Sequence, residues 1–235
     1  MKKMLFTLLS IVTVMSLNSC SNDEPSNQEK LSKSNLILYV GETEIISYEG
    51  NEYCYWYSEN EKIASVDEGK ISANLVGKTK IYANNLVCNV EVLPNMTSYD
   101  EPYLKWGATR SEVKNYMSSY TLSKETSDQL VYIGVGNEFA YVYLFENGIL
   151  TNASMGIYYS NSEGLVDFMA ERYNFSSEID GYYTFVSPDD KTYGAISLED
   201  SYIMVLYMPR SNARALPVIN IEDIHREKLE EIRKK

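Results

Sequence analysis

Histidine is nearly missing from this chain: His225, in a charged tail, is the only one among 235 residues. That count leaves no room for His-based acid–base catalysis or a His-rich metal site, and no metal or cofactor is expected. Positive charge is also short. Lys and Arg number 21 against 33 Asp and Glu, a net charge of −12, which opposes binding of nucleic acid, where Lys and Arg must neutralise phosphates. No apolar run reaches the ~20 residues that a membrane-spanning helix needs. The sequence has no nucleophile elbow, phosphate loop, zinc-ligand pair or calcium loop. Gly134-Val135-Gly136 lacks the third glycine and the following helix of a nucleotide-binding turn. The carboxylate pairs Asp189-Asp190 and Glu199-Asp200 fall in expected hairpin turns, where Asp is favoured for turn geometry alone. The chain is therefore expected not to be an enzyme.

What is present begins with an address. Lys2 and Lys3 precede the apolar run Met4–Leu17, too short to span a bilayer but long enough for the apolar region of a signal peptide. Leu17-Asn18-Ser19-Cys20 then sets a small residue directly before a cysteine. This stretch resembles the lipobox of bacterial lipoproteins. The resemblance implies cleavage before Cys20, diacylation of its sulfur and acylation of the new N-terminus, with residues 1–19 as the signal peptide. An ordinary secreted chain with an incidental Cys20 is the other reading. Several acyl chains on one residue would anchor the protein stably without spanning the membrane. Residues 20–30 read as a flexible polar tether. Its Asp23-Glu24 pair resembles the surface-export signals of Bacteroidota lipoproteins. The expected location is the outer membrane of a Gram-negative bacterium, lipid-anchored and exposed at the cell surface.

Residues 31–93 alternate short apolar stretches with Gly and Asn turns at the spacing of an all-β sandwich. "LYVGET" (Leu38 to Thr43), Trp56 with Ser58, "IASVDEGKISA" (Ile63 to Ala73), Gly77 before "KTKIYA", and "CNVEV" carry a resemblance to the group 2 bacterial immunoglobulin-like domain. Members occur in adhesins and as spacers in surface proteins, so the resemblance implies a structural or adhesive role. Cys54 shares a face with Trp56, and Cys88 shares one with Val90 and Val92. They are either a disulfide, permitted in an oxidising compartment and able to contribute ~2–4 kcal/mol, or two separate buried thiols.

Residues 99–210 repeat one pattern at an offset of 51–52 residues. Thr109 with Glu112, and Ser160 with Glu163, each form a capping box before a helical stripe. Val113, Tyr116, Met117 and Tyr120 make the first stripe; Leu165, Phe168 and Met169 make the second. Three strands follow each helix, with Asn147-Gly148 as a favoured hairpin turn. The expected fold class is an immunoglobulin-like sandwich followed by an α+β domain built from a tandem α-β-β-β duplication, both helices on one face. Opening on "GATRSEV" (Gly107 to Val113), the tandem resembles the β-lactamase-inhibitor-protein-like layout. That resemblance implies protein binding, without contact residues that can be transferred. Residues 211–235 read as a linker and a charged helix, solvated, docked or partner-binding.

Tyrosine is over-represented, 21 against 6 Phe. Tyr offers a rigid apolar ring with a polar tip and suits binding faces. Tyr53, Tyr55 and Tyr57 share one face of a strand, and Tyr141 and Tyr143 share another. These stripes are either binding faces or the ordinary strand preference of aromatics. The function expected is a non-catalytic surface module binding a protein or glycan, with the lipid anchor in the membrane as its other partner. A periplasm-facing accessory docking on an envelope assembly is the alternative.

Overall fold

A computed structural model describes residues 29–179, 182–199 and 201–212. The expected signal peptide, Cys20, most of the tether, Asp200 and the C-terminal helix lie outside the described residues. The protein is mostly β. Among the described residues no helix is long and apolar enough to cross a membrane.

The first nine strands are β1 (Lys30–Leu31), β2 (Asn35–Tyr39), β3 (Thr43–Ile45), β4 (Tyr48–Glu49), β5 (Trp56–Ser58), β6 (Ala64–Asp67), β7 (Lys70–Ala73), β8 (Gly77–Ala83) and β9 (Leu86–Leu93). They form a four-stranded sheet β2-β9-β8-β5, a three-stranded sheet β3-β7-β6 and the small pair β1-β4. β2 runs parallel to β9, and the other pairs are antiparallel. Alternation decides which side chains go inside: Leu36 and Leu38 of β2 are buried while Asn35, Ile37 and Tyr39 are exposed. The two larger sheets share one core, where Leu36, Leu38, Ile81, Val90 and Val92 meet Ile71 and Ala73. The β6–β7 turn uses Glu68 and Gly69 in the left-handed region, φ +46° and +84°, and a side chain at Gly69 would run into the Ile46 carbonyl.

The remainder contains α1 (Arg110–Tyr116), β10 (Thr121–Glu125), β11 (Gln129–Ile133), β12 (Glu138–Glu146), β13 (Ile149–Tyr158), α2 (Leu165–Ala170), β14 (Asn174–Ile179), β15 (Tyr182–Val186), β16 (Thr192–Leu198) and β17 (Tyr202–Pro209). Its eight strands make one antiparallel sheet in the order β10-β11-β12-β13-β17-β16-β15-β14. Four strands, not the expected three, follow each helix. Val113 and Met117 at α1, and Leu165, Phe168 and Met169 of α2, bury against Tyr141, Met155, Val205 and Tyr207 on one face of the sheet. The opposite face holds a smaller cluster that includes Val131, Val142, Met204 and Leu206.

The first capping box is present. Thr109 accepts from the Glu112 N–H while the Glu112 carboxylate receives the Thr109 N–H. The second is not. A 3-10 turn over Tyr159–Asn161 occupies the expected start, and α2 begins after Gly164, at φ +79°, without a side-chain cap. The Glu163 carbonyl instead accepts the Tyr99 hydroxyl at 2.8 Å. Asn147 and Gly148, at φ +51° and +80°, make the expected β12–β13 hairpin turn.

Polar contacts join the nine-strand part to the rest. Val76 N–H donates to the Glu171 carbonyl at 2.7 Å, and the N–H groups of Asn95 and Met96 both reach Glu171 Oε2 at 2.9 Å. Asn60 Nδ2 donates to the Pro188 carbonyl at 3.0 Å. Asp190 lies between Lys62, at 2.6 Å, and Arg210.

Candidate binding surface

β5 is the free edge of the four-stranded sheet. Its Trp56 turns toward the core, so the residues on either side of it turn out. Tyr53, Tyr55 and Tyr57 are 88%, 65% and 42% exposed. Tyr57 pairs across strands with Tyr82 of β8, and the two rings stack with centroids 4.6 Å apart. The Tyr55 ring follows at 6.1 Å from Tyr57. Asn84, held at φ +53° in the β8–β9 turn, fixes the segment leading into β5. Its Oδ1 accepts the Tyr55 N–H at 2.8 Å, its N–H donates to the Tyr55 carbonyl at 3.0 Å, and its Nδ2 donates to the Tyr53 carbonyl at 3.2 Å. Asn84 therefore holds the backbone at Tyr53 and Tyr55 through its side chain and its own N–H before any ligand arrives. Sequence reasoning missed Tyr82 and Asn84, because the β5–β8 register that brings them here has no local signal.

Tyr141 and Tyr143 are not a surface stripe. They are 1% and 0% exposed, because the face of β12 they share lies beneath the helices. Their hydroxyls are used internally: Tyr141 donates to the Asp100 carbonyl at 3.0 Å, and Tyr143 accepts the Tyr103 N–H at 3.0 Å.

Cys54 and Cys88 are both free, so the disulfide reading is corrected. Ser58 pairs with Ile81, which pairs in turn with Cys88. Cys54 lies four residues before Ser58, about 13 Å along an extended chain, whereas a disulfide needs Cα atoms within ~7 Å. Cys88 is fully buried and Cys54 half-buried. Burial pushes both thiols up, and Glu29 adds to the rise at Cys54.

The Asp189-Asp190 turn is tied up in structure. Asp189 Oδ1 accepts the Ser187 hydroxyl at 2.6 Å and the Lys191 N–H at 3.1 Å. Burial alone would raise its carboxyl, but these bonds hold it below the usual range. The hydrogen bond from Lys62 holds Asp190 low as well.

A groove of about 470 Å³ opens between the end of α1, the segment 97–101 and α2. Tyr99, Asp100, Glu101, Tyr116, Tyr120, Phe168 and Arg172 line it. The Tyr120 hydroxyl donates to Asp100 Oδ2 at 3.1 Å. Burial, and then Asp100, push its phenol up to about 12. Glu101 accepts the Tyr173 hydroxyl and lies 3.9 Å from Arg172 Nε. Burial raises its carboxyl above the usual carboxylate range. Tyr116, expected on the buried helical stripe, is 51% exposed, and α1 ends there, so Tyr120 lies beyond the helix. Asp100 and Glu101 were missed because their segment carries no period of either kind.

No family model matches the chain, and no curated protein matches it.

Proposed function

We propose that this protein is an outer-membrane lipoprotein, anchored through Cys20 and exposed at the cell surface, that binds a protein or glycan without catalysing a reaction. The observation that carries the reading is the row of exposed rings at Tyr53, Tyr55 and Tyr57, backed by Tyr82 and held by Asn84. Isolated exposed aromatics need no explanation, but three exposed tyrosines at alternate positions leading into an edge strand, with Tyr55, Tyr57 and Tyr82 in ring contact, form the kind of patch that recognition surfaces use. Because Asn84 pre-orders the row, little conformational freedom is lost on binding. On this reading residues 31–93 are a bacterial immunoglobulin-like spacer. Residues 99–210 are a tandem duplication, a reading supported by the strand order, which runs outward in matching steps from the central β13–β17 pair.

The test uses the chain from residue 20 onward with Cys20→Ser, screened against a glycan array and a panel of extracellular proteins. A ligand is expected whose affinity falls tenfold or more, roughly the loss of one aromatic anchor, when Tyr53, Tyr55 and Tyr57 all become Ser. A ligand bound equally well by that triple variant would overturn the tyrosine edge. Protease treatment of intact cells expressing the lipidated chain should cut the C-terminal part. Protection until lysis would overturn surface exposure in favour of a periplasm-facing accessory.

A further inference from the structure

The groove at the end of α1 differs in chemistry from the tyrosine edge and lies on the other part of the chain. Asp100 and Glu101 supply two neighbouring carboxylates there. Glu101 is already engaged by Tyr173 and Arg172, while Asp100 is exposed, with only its Oδ2 taken by Tyr120, and is the carboxylate open to a ligand. Tyr116 and Tyr120 supply aromatic faces, and the Tyr116 ring is propped against Tyr103 with centroids 4.8 Å apart. Among the described residues the groove's one cation is Arg172, and it is already engaged. It donates to the carbonyls of Phe168 and Met96 at 3.0 and 2.9 Å and stacks 3.8 Å over the Phe168 ring. Arg172 also offsets only one of the two acids. After burial, the same two carboxylates contribute to the rise of the Tyr116 phenol.

Carboxylates accept hydrogen bonds and repel anions, and the faces of aromatic rings attract cations within about 6 Å. A neutral sugar could stack on the rings and donate hydroxyls to the carboxylates, but only a cation gains in addition from their negative charge. The overall charge of −12 would also steer a basic partner toward this surface. We propose that the groove holds a lysine or arginine side chain of a partner protein, its charge beside Asp100 and Glu101 and its aliphatic stem across the Tyr116 ring. This site stands independently of the tyrosine edge, and failure of either leaves the other in place.

The experiment titrates acetyl-tetralysine amide, with acetyl-tetraglutamate amide as control, into the chain from residue 20 onward (Cys20→Ser) at low salt. Binding is followed by calorimetry and by NMR shifts. Tetralysine should bind and tetraglutamate should not. Asp100→Asn, which keeps an acceptor for the Tyr120 hydroxyl, should weaken tetralysine about tenfold, as expected for losing one close charge at intermediate dielectric. Tyr116→Ala, a change on the exposed side of α1, should weaken it about threefold, the size of an exposed cation–π contact. Glu61→Gln, a surface carboxylate on the other part, should leave binding unchanged. The proposal is overturned if tetralysine does not bind, if Asp100→Asn and Tyr116→Ala both bind like the parent, or if Glu61→Gln weakens binding as much as they do. That last result would make the attraction a property of net charge alone.

Discussion

A tyrosine ring avoids water while its hydroxyl seeks a partner, and this chain resolves that conflict in two ways. At Tyr53, Tyr55 and Tyr57 the rings stay in solvent. At Tyr99, Tyr132, Tyr141, Tyr143, Tyr173 and Tyr207 they are buried, and burial is the largest cause raising each of these phenols above its ordinary value. Sequence alternation finds both sets and cannot tell them apart, since Tyr55/Tyr57 and Tyr141/Tyr143 follow the same period of two. What separates them is an element packed on one face and absent from the other, which is tertiary information. The sign of the linked stability follows from the direction of the shift. A phenol whose folded value lies above its unfolded value of ~10 contributes fully below pH 10, and the contribution is lost as pH rises beyond it. Stability should therefore be flat from pH 7 to about 8.5, begin to fall as pH passes the unfolded value of the raised Cys54 and Cys88 thiols, and fall steeply from pH 10 to 12, with the buried phenols ionising as the chain unfolds. Absorbance at 295 nm followed alongside circular dichroism checks this. Complete tyrosine ionisation with the fold intact would contradict the buried assignment.

The first helix start and the β12–β13 hairpin were legible because each is decided within a few residues. Thr109-x-x-Glu112 and Asn147-Gly148 are signals of that kind, and both appear where the sequence puts them. The edge strands were not legible. β10 is exposed at every residue, so it carries no apolar alternation, and it is a strand only because β11 offers a free edge beside it. The second capping box failed for a related reason. Ser160 and Glu163 have the right spacing, but the chain spends Tyr159–Asn161 on a 3-10 turn, and Tyr99 takes the carbonyls of Asn161 and Glu163. The two helices should consequently differ in how much their caps matter. Thr109→Ala removes the acceptor for the Glu112 N–H and should lower stability by about 1 kcal/mol. Ser160→Ala should leave it unchanged within about 0.5 kcal/mol. Urea unfolding of the two variants side by side measures the difference, and equal losses would contradict the asymmetry.

For the whole molecule, the question is what keeps the tyrosine edge and the groove in a fixed relation. One residue does much of this. Glu171 follows α2, its carbonyl receives the Val76 N–H, and its carboxylate receives the N–H groups of Asn95 and Met96 just after β9. Its side chain is only 12% exposed, and its bond to the Met96 N–H is half-buried, whereas the Asn95 bond lies at the surface. The Asp190 pairs with Lys62 and Arg210 are about half exposed and contribute less, since solvent screens them. Sequence could place the change of pattern near Pro94-Asn95 but not this clamp, because Glu171 lies 75 residues from Met96. Glu171→Ala would leave the half-buried Met96 N–H without its acceptor and return the Asn95 N–H to water, a loss on the order of 1–2 kcal/mol. Calorimetry should show one cooperative transition in the parent chain. In the variant that transition should move down by several degrees or split, with the nine-strand part and the eight-stranded sheet melting separately. Asp190→Asn should shift it by no more than about 1 kcal/mol. If Glu171→Ala melted as the parent does, the two parts would be joined by something other than this carboxylate, and the Asn60–Pro188 bond would be the next contact to remove.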